Sequence, residues 1–153
     1  MARLEDMVSS LRDRLAGLEC EPYAGSPWVA AKPMAQRRIA IVSTAGLQRR
    51  GDHPFQLGSN DFRVIPSDTP SSDIVMSHVS TNFDRSGFQQ DVNVALPIDR
   101  LRELERDGKI GSSAAFHYSF MGATHPDDMR GPTEHMIQLM KDDQVDSALL
   151  VPI

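Results

Sequence analysis

The densest run of reactive side chains in the 153 residues is Ser77–Asn93, SHVSTNFDRSGFQQDVN. His78, Thr81, Asn82, Asp84, Arg85, Gln89, Asp91 and Asn93 all follow directly on an apolar stretch, Ile74–Met76. A plain connector needs fewer chemically distinct groups. Arg85 offers a rigid planar fork for a carboxylate, and Asp84 beside it can hold that fork or bind an amine. His78 can move a proton near neutral pH or polarise a carbonyl. The same residues also suit a loop held by its own hydrogen bonds, with Asp84 and Arg85 paired to loop neighbours. Both readings stand at this level. Downstream, His117 and Tyr118 are adjacent in a strand pattern, so their side chains point to opposite faces and at most one reaches a site. His53, His125 and His135 read as turn, loop and helix-surface residues. Without a His-x-His, two histidines one helix turn apart or a cysteine pair, the signal for a metal site is weak.

The elements that must position these groups are legible from apolar spacing. Leu4, Met7, Val8, Leu11, Leu15 and Leu18 recur at helical intervals with charges between them, which predicts an amphipathic helix over 1–20 closing near Gly17. Residues 21–37, with Pro22, Pro27 and Pro33, read as an extended connector with Trp28 pinned against the body. Residues 38–153 read as one α/β domain. Ile39–Val42 form a compact apolar run ending in Ser43 and Thr44, as a buried parallel strand does, and 62–66 form a shorter one. Residues 73–80 repeat the first pattern. The stretch from Pro97 to Gly108 has helix signals at both ends, 113–123 reads as a strand, and 131–143 as a helix burying Met136, Ile137, Leu139 and Met140. Ser147–Ile153, SALLVPI, is a final buried strand. The order predicts a three-layer α/β fold, a mostly parallel sheet with helices on both faces. Ligands in such sheets sit beyond the carboxyl ends of the strands. Ser43, Thr44, His78, Ser80, His117, Tyr118 and the chain around Ile153 would then meet at one rim.

A formal net charge of −5 argues against a nucleic-acid surface, because phosphate binding needs clustered cations without matching acids. The single cysteine, Cys20, has no internal disulfide partner, and a reducing cytoplasm fits that usage. No apolar span of about 20 residues marks a membrane helix.

Three elements taken together, DIVMSH, NFDRSG and DVNV, resemble the selenoprotein B subunit family of the glycine, sarcosine, betaine and D-proline reductases, particularly the short D-proline-reductase-like members. HYSFMGA adds to the likeness, which runs from about RRIAIVSTAGLQRRGD to the final strand. The resemblance implies reductive cleavage of a carbon–nitrogen bond in an amino acid or betaine by a selenolate or thiolate, with a neighbouring thiol resolving the product. It places His78, Asp84 and Arg85 near that centre, with Asn93 and His117 alongside as substrate contacts. It implies no cofactor bound in this chain other than a selenocysteine in the full-length protein, and a partner subunit carrying a pyruvoyl group. In the family the strand matching SALLVPI is followed at once by selenocysteine or cysteine, then by a helix and a strand. The expectation is therefore that the sequence stops one residue short of the reactive atom, as an in-frame UGA read as stop would produce, and that these residues alone are inactive. The alternative is a non-catalytic α/β module that keeps the rim for a carboxylate-bearing ligand or a partner subunit; a homo-oligomer is compatible with either reading.

Overall fold

The computed structural model describes residues 4–17, 25–80 and 84–153. They fall in two units, Met1–Ala30 and Ala31–Ile153. In the first, a 3-10 turn over Leu4–Asp6 precedes helix α1, Ser9–Ala16, so the expected 20-residue helix is shorter and interrupted. Leu18 and Cys20 lie outside the described residues. Trp28, in this first unit, is 88% exposed. Residues 26–33 form neither helix nor ladder, so nothing local folds an apolar surface over the indole.

The second unit holds strands β1 (Arg38–Ser43), β2 (Leu47–Arg49), β3 (Phe62–Pro66), β4 (Ile74–Met76), β5 (Ser112–Ser113), β6 (Phe116–Phe120) and β7 (Ser147–Val151). Its helices are α2 (Ser86–Gln90), α3 (Ile98–Arg106) and α4 (Arg130–Asp142). β1 is central because its apolar run can be buried on both faces. β7 pairs with it in parallel along one edge, from Ile39–Ser147 to Ser43–Val151. β5 and β6 share the other edge, also in parallel, and β3 adds antiparallel to β6.

Alternation along β1 builds three layers. Ile39 and Ile41 point into a core closed by Ile98 and Leu101 of α3, while Ala40 packs on the other side with Tyr118, Phe120 and Met136 of α4. Each of the buried Ile, Leu, Phe and Met side chains is worth roughly 1.5–3 kcal/mol relative to exposure. The α/β fold with helices on both faces is thus the one its apolar spacing predicts.

Both long helices end in the same motif, one on a glycine and the other on a glutamine. After α3, Gly108 takes φ +65° and its N–H bonds the Glu105 carbonyl, while the Lys109 N–H bonds that of Leu104. After α4, Gln144 takes φ +57°, with the equivalent bonds from Gln144 to Lys141 and from Val145 to Met140. A left-handed residue there satisfies carbonyls that the helix leaves open.

Two strands depart from expectation. Residues 73–80 do not form a strand of the main sheet; only Ile74–Met76 is extended, paired antiparallel to β2 in a separate ribbon. The chain turns out of the sheet after β1, and β2, too short and polar to read from spacing, supplies that partner. β7 pairs as expected, and Val151 and Ile153 pack against the α3-side core. Its middle is not buried: Leu149 is 41% and Leu150 68% exposed, because β7 is the edge strand among the described residues. Ile137 of α4 is also 42% exposed rather than buried.

Candidate functional site at the strand ends

The rim forms where β1 leaves the sheet. Ser43 is fully buried, its Oγ accepting the Ala45 N–H at 3.2 Å, which lets the backbone turn without an open donor. Gly46 then adopts φ +63°, donates to the Phe120 carbonyl at 2.8 Å and accepts from the Ser77 N–H at 2.9 Å. A Cβ on Gly46 would stand 3.0 Å from both the N and Cα of His78. Glycine is therefore required for the β1–β2 turn to carry the His78 main chain. This residue is missed by spacing alone; its signal is a glycine three residues past the end of the strand, in STAG.

His78 is 6% exposed, and its Nδ1 accepts the Ser80 N–H at 3.1 Å. That bond puts the ring proton on Nε2. Burial, with the Arg85 charge adding to it, lowers the imidazole below its ordinary range, so the ring is neutral at pH 7. Arg85 donates through Nη2 to the carbonyls of His78 and, at 3.3 Å, of Ser80. Asp84 Oδ1 accepts the Ser86 N–H at 2.9 Å at the start of α2, and that bond holds its carboxyl below the usual range. The pair thus braces its own loop. Thr81 and Asn82 lie outside the described residues. The loop returns to the body through Phe88 and Val92, which pack on the α3-side core.

Thr44 joins this turn to the end of β7. Its N–H donates to the Val151 carbonyl at 3.1 Å, and its hydroxyl accepts the Ile153 N–H at 2.8 Å. His78, Arg85, Thr44 and Ile153 are therefore tied through one turn, residues 44–46.

The other expected residues are engaged in the fold itself. Asn93 bridges Asp91 and Asp99: its Nδ2 donates to both carboxylates, at 2.8 and 3.0 Å, and its Oδ1 accepts the Asp99 N–H at 3.0 Å. It caps α3, whose flanking Pro97 has no side-chain acceptor to offer. His117 is fully buried and does not reach the rim. Between the pairs Ile39–Ser113 and Val42–Tyr118, β1 advances three residues and its partner five, so the partner bulges. His117 Nδ1 fills the gap by accepting the Ile41 N–H at 3.1 Å. Burial pushes its pKa down to about 4. Tyr118 turns to the opposite face, in the α4-side core, and burial raises its phenol to about 12. Among the described residues no group of three His, Cys, Asp or Glu side chains could hold a metal ion.

Below the rim, one ion pair locks the opposite end of the sheet. Arg38 meets Asp143 at 2.5 Å and donates to the Ser113 carbonyl at 2.9 Å, and Asp143 also accepts the Ala115 N–H at 2.8 Å. The bulge, α4 and β1 are thereby held together.

An α/β sheet with a turn of polar and glycine residues at its strand ends defines a class that places ligands at that rim. The sequence model of the family described as glycine/sarcosine/betaine reductase selenoprotein B matches residues 26–152, and the chain belongs to that family. It is 32% identical over 124 residues to D-proline reductase subunit gamma of Acetoanaerobium sticklandii, covering 78% of this chain and 50% of that protein. It is 28% identical over 131 residues to sarcosine reductase complex component B subunit beta of Peptoclostridium acidaminophilum, covering 81% and 30%. Glycine reductase complex component B subunit gamma of Carboxydothermus hydrogenoformans is 28% identical over 103 residues, covering 63% and 23%. The chain thus spans half or less of the length of these relatives, each named as a subunit. No solved structure matches it. Among the described residues no helix is long and apolar enough to cross a membrane.

Proposed function

We propose that this chain forms part of the selenol- or thiol-dependent subunit of a reductase that cleaves the carbon–nitrogen bond of an amino acid or betaine. The observation that carries the reading is the shared turn at residues 44–46: the main chain at Ile153 is bonded to Thr44, and His78 rests on Gly46. By the family resemblance the reactive selenocysteine or cysteine follows that strand, so it would enter on the side of the sheet where the polar loop lies. Its anion attacks the carbon bearing nitrogen, and the carbon–nitrogen bond breaks with its electron pair going to nitrogen. A neighbouring thiol, giving up its proton, then attacks the chalcogen; the carbon–chalcogen bond breaks with its electron pair going to carbon, which takes a proton, and a cellular dithiol reduces the resulting selenide-sulfide or disulfide. By the same resemblance, a pyruvoyl carbonyl on a partner subunit would activate a substrate amine.

The tautomer refines the role of His78. A neutral ring that already accepts at Nδ1 is a poor proton source, so His78 serves as an Nε2–H hydrogen-bond donor toward the anionic centre. Arg85 supplies the cation for a substrate carboxylate, and its two loop bonds both use Nη2, one corner of a five-donor fork. Asp84 sets the entry of α2 beside it.

Reading the nucleotides after the Ile153 codon tests the reading. A selenocysteine or cysteine codon in a homologous frame is expected; a stop other than UGA with no such frame overturns it. In a longer form carrying that residue, His78→Ala is expected to lower kcat about a hundredfold, and Arg85→Ala to raise KM for a carboxylate substrate. Unchanged kinetics in both variants would remove the two assignments.

A further inference from the structure

The end of β7 cannot be held by an ordinary ladder. Pro152 has no N–H to donate, and the last main-chain bond is the one from the Thr44 N–H to the Val151 carbonyl. Beyond it the Thr44 side chain takes over. Its Oγ1 accepts the Ile153 N–H at 2.8 Å and donates to the Ile153 main-chain oxygen at 3.2 Å, which a single hydroxyl can do at once. Gly122 closes the other side. Its N–H donates to the Thr44 carbonyl at 2.9 Å, and a Cβ there would lie 2.9 Å from both the Ile153 and Thr44 oxygens. Only glycine leaves that space.

We propose that Thr44 is a positioning residue whose hydroxyl clamps the main chain at Ile153 over the floor left by Gly122. The clamp fixes the direction of the rim strand relative to the Gly46 turn that carries His78. This rests on the reading that the reductase chemistry belongs to this rim, and it names the group that would aim the reactive residue.

Amide hydrogen exchange in the 15N-labelled 153-residue chain tests it. Thr44→Val, which keeps the shape and removes the hydroxyl, is expected to speed exchange at Ile153 about tenfold, the effect of losing one hydrogen bond, with Leu150 unchanged. Thr44→Ser keeps the hydroxyl and should exchange like the unsubstituted chain. Gly122→Ala should shift the Ile153 amide resonance. Thr44→Val with unaltered Ile153 exchange, or Thr44→Ser as fast as Thr44→Val, overturns the clamp. Should Thr44→Val fail to fold, the unsubstituted chain still decides: cross-relaxation between the Ile153 N–H and Thr44 Hβ is required, and its absence overturns the proposal. In a longer form carrying the reactive residue, Thr44→Val is expected to lower kcat about tenfold with KM unchanged, and Thr44→Ser to restore it; an unchanged kcat in Thr44→Val overturns the positioning role. Downstream codons that end the reductase reading would leave the clamp standing, and a failed clamp would leave that reading untouched.

Discussion

His117 occupies a place in the ladder that only an acceptor can fill, since the bulge in its own strand removes the carbonyl that would face the Ile41 N–H. Its Nδ1 must stay unprotonated. Burial is the main reason its pKa falls to about 4; the Arg102 and Arg38 charges add to the lowering and Asp143 opposes it. Between about pH 4 and the ordinary value near 6.5, the unfolded chain binds a proton that the folded chain refuses. Stability from this group is therefore complete above pH 6.5 and lost as pH falls toward 4, by about 3 kcal/mol in all. His117→Asn puts an amide oxygen near the place of Nδ1 and cannot titrate. Urea unfolding across pH 4–7 is expected to show a shallower acid decline for this variant; an identical slope would mean the titration belongs to another group. That a histidine in FHYSF serves the backbone was not visible in the sequence, because the bulge depends on β1, more than 70 residues away.

Helix α3 shows how an element can be read correctly and its cap missed. Ile98, Leu101 and the Gly108 stop mark its span. The N-terminal cap comes from Asn93, inside the 3-10 turn Val92–Val94 and five residues before Ile98, where no fixed-spacing rule looks. The local bonds to Asp91 and Asp99 account for Asn93 without a ligand. Asn93→Ala is expected to cost about 1 kcal/mol of stability, within the 0.5–2 kcal/mol span of cap deletions, read by thermal or urea unfolding. A loss of ligand affinity with stability unchanged would return Asn93 to the site. The β2–β4 ribbon failed to show for a related reason. Leu47–Arg49 carries too little apolar pattern to be seen, and its partner Ile74–Met76 looks like a strand of any sheet.

Across the whole domain, burial is uneven in a way that predicts behaviour in solution. The α3-side core continues to the end of β7 through Val151 and Ile153, whereas Leu150 on the opposite face is 68% exposed. From Ser147 to Ile153 there is no charged residue to discourage another chain from pairing with the open edge. The 153-residue chain is expected to associate as its concentration rises, and Leu150→Lys to shift it toward monomer, as measured by sedimentation velocity. Equal monomer fractions for the two would show that the edge does not drive association.

The sequence by itself determined the layers: two apolar faces of period two on β1, helical periods in α3 and α4, and polar or glycine residues where strands end. Its motifs also carried the family to which the chain belongs. These are local signals, written within a few residues by side-chain size and polarity. The tertiary structure alone decided that His78 rests on Gly46, that Thr44 holds Ile153, that His117 belongs to the ladder and that Asn93 belongs to a cap. Each of those depends on which distant backbone group is left without a partner once the sheet has closed, and no local pattern encodes that.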